Sequence, residues 1–423
     1  MDRRHLKQFL TPKNGLSAPR MGAAFAVVLC LSGCHHGPTP EFPDWVGRYM
    51  QQEPARDGTN AYTGYAHAAE EAEANGRKYL DMVSFYPAQR ASAMKLTEGA
   101  LATLKAAASE KCSFDFQPGN PFKAPSHQRG WRLLGRDLVW KIQEAIQVND
   151  FGTAVENANL ATKFGFDISG GGATDASLGL AIANEARQAI APAMDRMDAA
   201  QLGSLAEGTT RALDSKPDLS ETIEHEHENM LESVQVIQDA YRNESLDVLR
   251  QNLGPDARSS VEFLDELHRK DYSKRPQYFA DFAAEADSEA NWMKSVSDKP
   301  AIDRVSTPEP KFSSERPWKK FSKELFSSLK PLLTMNDATL ARTRLLILES
   351  LILQQVKTSG SAPKDLSQFA ESLKTDPYTG KPFIYGSDGA DYHVYSVGED
   401  FRDDGGETDE TFTQPDLKLE KED

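Results

Sequence analysis

The chain has 423 residues, with 48 Lys and Arg against 64 Asp and Glu, a formal charge of −16. That length suffices to bury a sizeable core without help from metal or disulfides. The acidic balance, with no Lys/Arg stripe interleaved with aromatics along the sequence, argues against nucleic acid as a partner.

In chain order, the N-terminus reads as a targeting segment. Arg3, Arg4, Lys7, Lys13 and Arg20 form a basic leader, and no Lys or Arg follows from Met21 to Gly47. The apolar run Met21 to Leu31 is only 11 residues, short of the roughly 18 to 20 needed to cross a bilayer, so it reads as a signal-peptide core. It runs into Leu31-Ser32-Gly33-Cys34, which resembles the lipobox of bacterial lipoprotein signals. The resemblance implies cleavage before Cys34 and lipid on its sulfur, hence anchoring to a membrane. In Gram-negative lipoproteins the residue after the cysteine directs sorting. His35, rather than the inner-membrane retention residue Asp, implies the outer membrane, facing the periplasm.

Loss of residues 1–33 removes five basic residues and one acidic residue, leaving 43 against 63 and a charge near −20. Such acidity argues against a polybasic second anchor. Cys30 leaves with the signal and Cys34 takes the lipid, so Cys112 stands alone and reads as a plain thiol with no disulfide partner. Residues 34–62 carry Pro, Gly and polar residues without a sustained period and read as a lipidated tether.

Residues 63–294 read as a helical body, bundle or solenoid-like, rich in Ala, Leu, Glu, Lys, Gln and Arg. Trp131, Leu134, Leu138 and Ile142 recur at spacings of three and four and mark one apolar helix face, continued by Ala145 and Ile146. Ser169-Gly170-Gly171-Gly172 breaks the pattern before Asp175 opens a helix over Ala176 to Ile190. Without a Walker lysine or a GxGxxG after a strand, this is a turn between helices rather than a phosphate cradle. Residues 221–228 (ETIEHEHE) offer the candidate metal segment: on a helix Glu221 and His225 share one face, and Glu224, His227 and Glu228 a neighbouring one. Zinc or iron accepts such ligands, so a metal-dependent hydrolase using Glu221 to Glu228 is the alternative function. A solvated acidic face explains the same composition. Ser92-x-x-Lys95, Ser327-x-x-Lys330 and Ser361-x-x-Lys364 match a nucleophilic spacing, but neither S-D-N nor K-T-G follows.

Residues 295–317 shift to Pro, Ser and charge and read as a linker or long loop. Residues 318–410 then hold an amphipathic segment, Trp318 to Leu333, and the strongest helix pattern of the chain. Asn336 or Asp337 is the expected cap; Leu345, Leu348, Ile352 and Val356 line one face, and Leu346, Ile347, Leu351 and Leu353 widen it. Asp376-Pro377-Tyr378-Thr379-Gly380-Lys381-Pro382 follows, then a strand through Phe383 to Tyr385, a turn at Ser387-Asp388-Gly389, and a strand Tyr392 to Ser396. Residues 411–423 read as an acidic disordered tail.

This order of a long helix, the Asp-Pro-Tyr-Thr-Gly motif, a hairpin and Ser396-Val397-Gly398 with acids after it resembles the C-terminal half of type II secretion major pseudopilins. It is closer still to a module that ends large helical envelope proteins. The fold class expected is therefore mainly α, a multi-helix body with a small C-terminal α+β pseudopilin-like module. In that family the acidic loop after the hairpin binds calcium, so the resemblance implies a calcium site at Asp400, Asp403 and Asp404. The loop is no EF-hand: with Asp400 first, Arg402 is third and Thr411 twelfth. Pseudopilins insert through a processed apolar N-terminal helix, which a lipidated N-terminus does not supply, so what carries over is a fold module. Together these readings describe a non-catalytic, secretion-associated envelope lipoprotein that binds or scaffolds another envelope protein.

Overall fold

Small residues let helices pack closely through the first half of the chain. The computed structural model describes residues 60–114, 127–242, 275–310, 330–406 and 416–419. The leader, Cys34, the start of the tether, residues 311–317 and the segment from Trp318 to Leu329 lie outside them. The described chain is mainly helical, with one two-stranded sheet.

Asn60 accepts a hydrogen bond from the Tyr62 amide at 3.0 Å and starts α1, Ala61–Gly76. Next come α2, Pro87–Ala107, and α3, His127–Gln147. Asp150 caps α4, Phe151–Ile168, through the Thr153 amide at 3.1 Å, while Asp198 and Gln201 form a reciprocal box at the start of α6, Ala199–Asp214. Between them runs α5, Ala173–Ile190; α7, Leu219–Arg242, and α8, Arg275–Ser297, pack as a pair.

α4 and α5 approach closely where Gly165 and Gly179 face each other. A Cβ on Gly165 would lie 2.4 Å from the Gly179 carbonyl oxygen, and one on Gly179 2.1 Å from that of Gly165. Only glycine at both positions allows this spacing.

One apolar core runs through α1 to α6. Trp131 is its largest fully buried side chain. Its indole N–H donates to the Tyr65 carbonyl at 2.8 Å, and its ring meets Phe164 edge-on at 6.3 Å. The face read from Trp131, Leu134, Leu138, Ile142 and Ala145 is the buried face of α3. α1 packs on both α2 and α3, and α5 on both α3 and α4, so each of these helices meets its sequence neighbour and the helix next but one.

The strong C-terminal helix is α10, Lys330–Ser359, preceded by a short α9, Ala301–Val305. It packs on α5 and α6 and also on strand β2. Leu346 joins the central core, whereas Leu345, Ile347, Leu348 and Ile352 join a second core with Tyr378, Phe383 and Val394. This double burial explains why the helix is apolar on more than one side. The C-terminal unit therefore shares its long helix with the body instead of hanging from a linker.

Three boundaries differ from the sequence reading. The stretch 295–317 begins inside α8 and continues into α9, and the Ala301 and Ile302 amides donate to the Pro377 and Tyr378 carbonyls at 3.0 and 2.9 Å. Asn336 and Asp337 are not caps: the chain is already helical from Lys330, and both are buried inside α10. The expected disordered tail contains an ordered piece, since Leu417 pairs with Ser396 through two backbone bonds of 2.8 and 3.0 Å, and Leu419 enters the central core.

The hairpin forms where expected, but its turn is Gly389-Ala390, because Ser387 and Asp388 pair with Tyr392 and Asp391 inside the ladder. β1, Ile384–Asp388, pairs antiparallel with β2, Asp391–Tyr395, from Ile384 opposite Tyr395 to Asp388 opposite Asp391. A short helical turn, α11, Glu371–Lys374, leads into the Asp376 motif. Among the described residues no helix is long and apolar enough to cross a membrane.

Candidate functional site

The turn between α4 and α5 gathers several buried polar groups, among them Ser169, Asp175, Thr222 and Glu226. Gly172 sits at φ +114°, a conformation that favours glycine, and delivers the chain into α5. The free Ala173 amide at the helix start donates to Glu226 Oε2 at 3.0 Å. Thr222 Oγ1 donates to the Ser169 carbonyl at 2.9 Å, and His225 Nδ1 lies 2.6 Å from the Gly170 carbonyl oxygen. Residues 222, 225 and 226 fall on one face of α7, so this face closes over the glycine turn. A helix N-terminus attracts an anion, and here Glu226 is that anion. The structure thus agrees with a turn between helices and not with a phosphate cradle.

Asp175, in the first turn of α5, is the second buried acid. Tyr62 Oη donates to its Oδ2 at 2.9 Å, Gln128 Nε2 to its Oδ1 at 2.7 Å, and His127 Nε2 stands 3.6 Å from Oδ2. The Tyr62 ring packs edge-on against Phe114 at 4.8 Å and Trp131 at 5.5 Å. Burial, then the neighbouring Asp175 charge, pushes the Tyr62 hydroxyl well up, so it serves as a donor. None of Tyr62, His127, Gln128 or Asp175 stood out in the sequence as one site, because α1, α3 and α5 bring them together from well-separated segments.

Burial pushes the Glu226 carboxyl up to about 7, against hydrogen bonds from Ala173 and Asn229 that pull it down. A carboxyl whose folded value lies above its ordinary 4.5 contributes fully below about pH 4.5 and loses that contribution as pH rises through about 7. Glu226→Gln keeps an acceptor for Ala173 without the charge. It should be about 1–3 kcal/mol more stable than the native chain near pH 8, with little difference near pH 4.5, measured by urea unfolding at both values. A variant less stable near pH 8 would mean that the charge on the helix terminus outweighs its burial.

The remaining members of the candidate metal segment point to other partners. His227 Nε2 is 2.7 Å from Asp287 Oδ1 on α8, and Glu224 pairs with Lys294 of the same helix. Glu221 and Glu228 are exposed. The two histidines therefore serve different interfaces, one the glycine turn and the other α8. Among the described residues no group of three or more His, Cys, Asp or Glu side chains is arranged to hold a metal ion.

Cys112 donates to the Asp167 carbonyl at 3.5 Å, and burial followed by the Asp167 charge pushes its thiol up. A thiolate nucleophile is disfavoured there. Asp167 itself is fully buried, held by Tyr65 Oη at 2.6 Å and Lys163 Nζ at 2.8 Å.

The three calcium candidates divide. Asp400 Oδ1 accepts from the Arg402 amide at 2.9 Å, which makes a local turn. Asp403 Oδ1 accepts from Tyr395 Oη at 2.7 Å and from the Gly405 amide at 3.0 Å, tying the loop to β2. Asp404 contributes its amide, which donates to Asp416 Oδ2 at 3.0 Å; Gly406 donates to the same oxygen at 2.7 Å. Asp416, absent from the sequence reading, is 2% exposed, and its Oδ1 is buried without a hydrogen-bond partner among the described residues. Burial raises its carboxyl, and the charges of Asp403 and Asp404 raise it further. Asp403 and Asp404 lie close enough for their charges to act on the Asp416 carboxyl, but the three side chains are not arranged as a group that holds a metal ion. The sequence signal was hidden because Asp416 lies 12 positions beyond Asp404.

Compared with known proteins, the chain matches no family model, no curated protein and no solved structure.

Proposed function

We propose that this chain is a lipid-anchored envelope protein that binds or scaffolds other envelope components, held by lipid on Cys34 at the periplasmic face of the outer membrane. The observation that carries the scaffolding part is where the reactive side chains are engaged. Glu226 holds Ala173, His225 meets Gly170 and His227 meets Asp287, so the groups best suited to chemistry instead join helices. The anchor rests on the basic leader, the short apolar run and Leu31-Ser32-Gly33-Cys34. Tagged native chain purified from detergent-solubilised envelopes should retain an envelope protein in fixed stoichiometry. Recovery of the chain alone, carrying tightly bound zinc or iron and hydrolytic activity, would replace this reading with a metal-dependent hydrolase.

The C-terminal unit is read as a pseudopilin-like module because the long helix, the Asp376 turn, the hairpin and the acidic loop occur in that order. Its helix is shared with the body, which favours use of the module as part of a rigid platform over assembly into a pseudopilus. The same reading includes a structural calcium ion at Asp400, Asp403 and Asp404, to which we add Asp416 as a further oxygen donor, with Asp400 bound up in a local turn. Calcium should raise the melting temperature of the native chain, and both Asp403→Ala and Asp416→Ala should abolish the rise. An unchanged melting temperature with calcium would remove the ion from the account.

A further inference from the structure

The loop between α1 and α2 departs from the acidic character of the rest of the chain. After α1 a 3-10 turn, Arg77–Tyr79, leads into Leu80 to Tyr86, where Val83 is 61% and Tyr86 77% exposed. Beneath them Tyr79, Leu80, Leu133 and Trp140 form a small separate core that also packs Met82 and Phe85. This core fixes the loop on α3, so its exposed apolar tip has a firm base.

Cations surround that tip. Arg136 donates to the Met82 carbonyl at 2.7 Å with its guanidinium 5.7 Å from the Phe85 ring centre, and Arg90 stands 5.8 Å from that of Trp140. The Lys78 ammonium lies 4.7 Å from the centre of the Tyr79 ring. Arg129 is paired with Asp81, while Arg77, Lys78 and Arg132 are exposed. Positions 129, 132 and 136 form a stripe along α3. Of the acids nearby, Asp137 turns inward to Thr97 at 2.8 Å, Glu185 opposes Arg136, and Asp81 and Glu73 oppose Arg129, so the exposed cations that carry the patch are Arg77, Lys78 and Arg132. No such stripe was visible along the sequence because the fold assembles it from residues 77–90 and 129–136.

We infer that this loop, with its ring of cations, is a second membrane contact that docks the body on an anionic phospholipid surface. Aromatic and aliphatic side chains at a loop tip suit the headgroup boundary, and the surrounding Lys and Arg complement lipid phosphates. The inference deepens the proposed lipid anchoring and rests on it for bringing the surface within reach. The 27 residues from Cys34 to Asn60 span at most about 90 Å when extended, against about 24 Å along α1 from Asn60 to the loop.

The test uses the chain from residue 34 with Cys34→Ser, which retains every described residue and carries no lipid. It should sediment with phosphatidylcholine vesicles containing phosphatidylglycerol, but not with phosphatidylcholine alone, and less as salt rises. Lys78→Glu with Arg132→Glu, and separately Val83→Ser with Tyr86→Ser, should each lower partitioning at least about tenfold while circular dichroism stays native. No sedimentation with the anionic vesicles, or binding by both double variants equal to that of the chain without these substitutions, overturns the inference. So does binding to a soluble polyanion such as heparin that matches vesicle binding and ignores the loop variant. Acyl labelling of the native chain at Cys34 reads the anchor separately, so failure of the anchor and failure of the patch are distinguishable.

Discussion

Arg304→Ala should destabilise the chain by about 3–5 kcal/mol, the usual cost of leaving one member of a buried ion pair behind. The Arg304 guanidinium grips Asp337 with both terminal nitrogens, while its Nε donates to the Val296 carbonyl at 2.9 Å and Nη2 to that of Ser297 at 3.2 Å. The two side chains are 12% and 3% exposed. One residue thus fastens the end of α8 and the short α9 to the N-terminal third of α10. Burial already pushes the Asp337 carboxyl up to about 6 with Arg304 in place. Without the cation it should rise further, so the variant loses stability as pH increases and suffers more near pH 8 than near pH 5. Arg304→Lys should recover only part of the loss, because an ammonium cannot reproduce the two-pronged contact. Urea unfolding of both variants measures this, and a loss below about 1 kcal/mol for the alanine would place the pair in effective contact with water.

A loss of similar size, about 3–5 kcal/mol, is expected for Asp376→Ala through a different cause: buried donors left without an acceptor. Asp376 is 1% exposed. Its Oδ1 accepts from the Tyr378 amide at 2.9 Å, and its Oδ2 from Ser396 Oγ at 2.9 Å and the Val397 amide at 3.2 Å. It closes the Asp-Pro-Tyr-Thr-Gly turn on itself and pins that turn to the end of β2. Asp376→Asn should lie between the native chain and the alanine variant, since its amide retains one acceptor but faces the Val397 N–H with a donor. Amide hydrogen exchange supplies the local readout. The Tyr378 and Val397 amides should lose protection in Asp376→Ala, and protection unchanged at both would show that other acceptors serve them.

The same residues explain what could be read without the structure. Periodic positions were legible because the buried face repeats within one helix, as Trp131, Leu134, Leu138 and Ile142 do. The hairpin was legible because turn residues and strand-forming side chains are adjacent in sequence. What escaped depended on distant partners. Residues 295–317 look like a linker until Arg304 meets Asp337, 33 positions away, and Asp337 looks like a cap for the same reason. The tail looks wholly disordered until Leu417 meets Ser396. In the segment 221–228, helical spacing grouped the histidines and acids by face but could not tell which face lay on the glycine turn. Glu226, in neither group, is the buried member that holds the turn.

Lipidation at Cys34 is the claim on which the cellular role depends most. The measurement that tests it most directly is the intact mass of the native chain extracted from bacterial envelopes, with fragmentation of its N-terminal peptide. The account predicts a chain beginning at residue 34, heavier than its sequence by a diacylglyceryl group on the cysteine. A chain that still carries residues 1–33, or one cleaved to an unmodified Cys34 and recovered free of membrane, would contradict it.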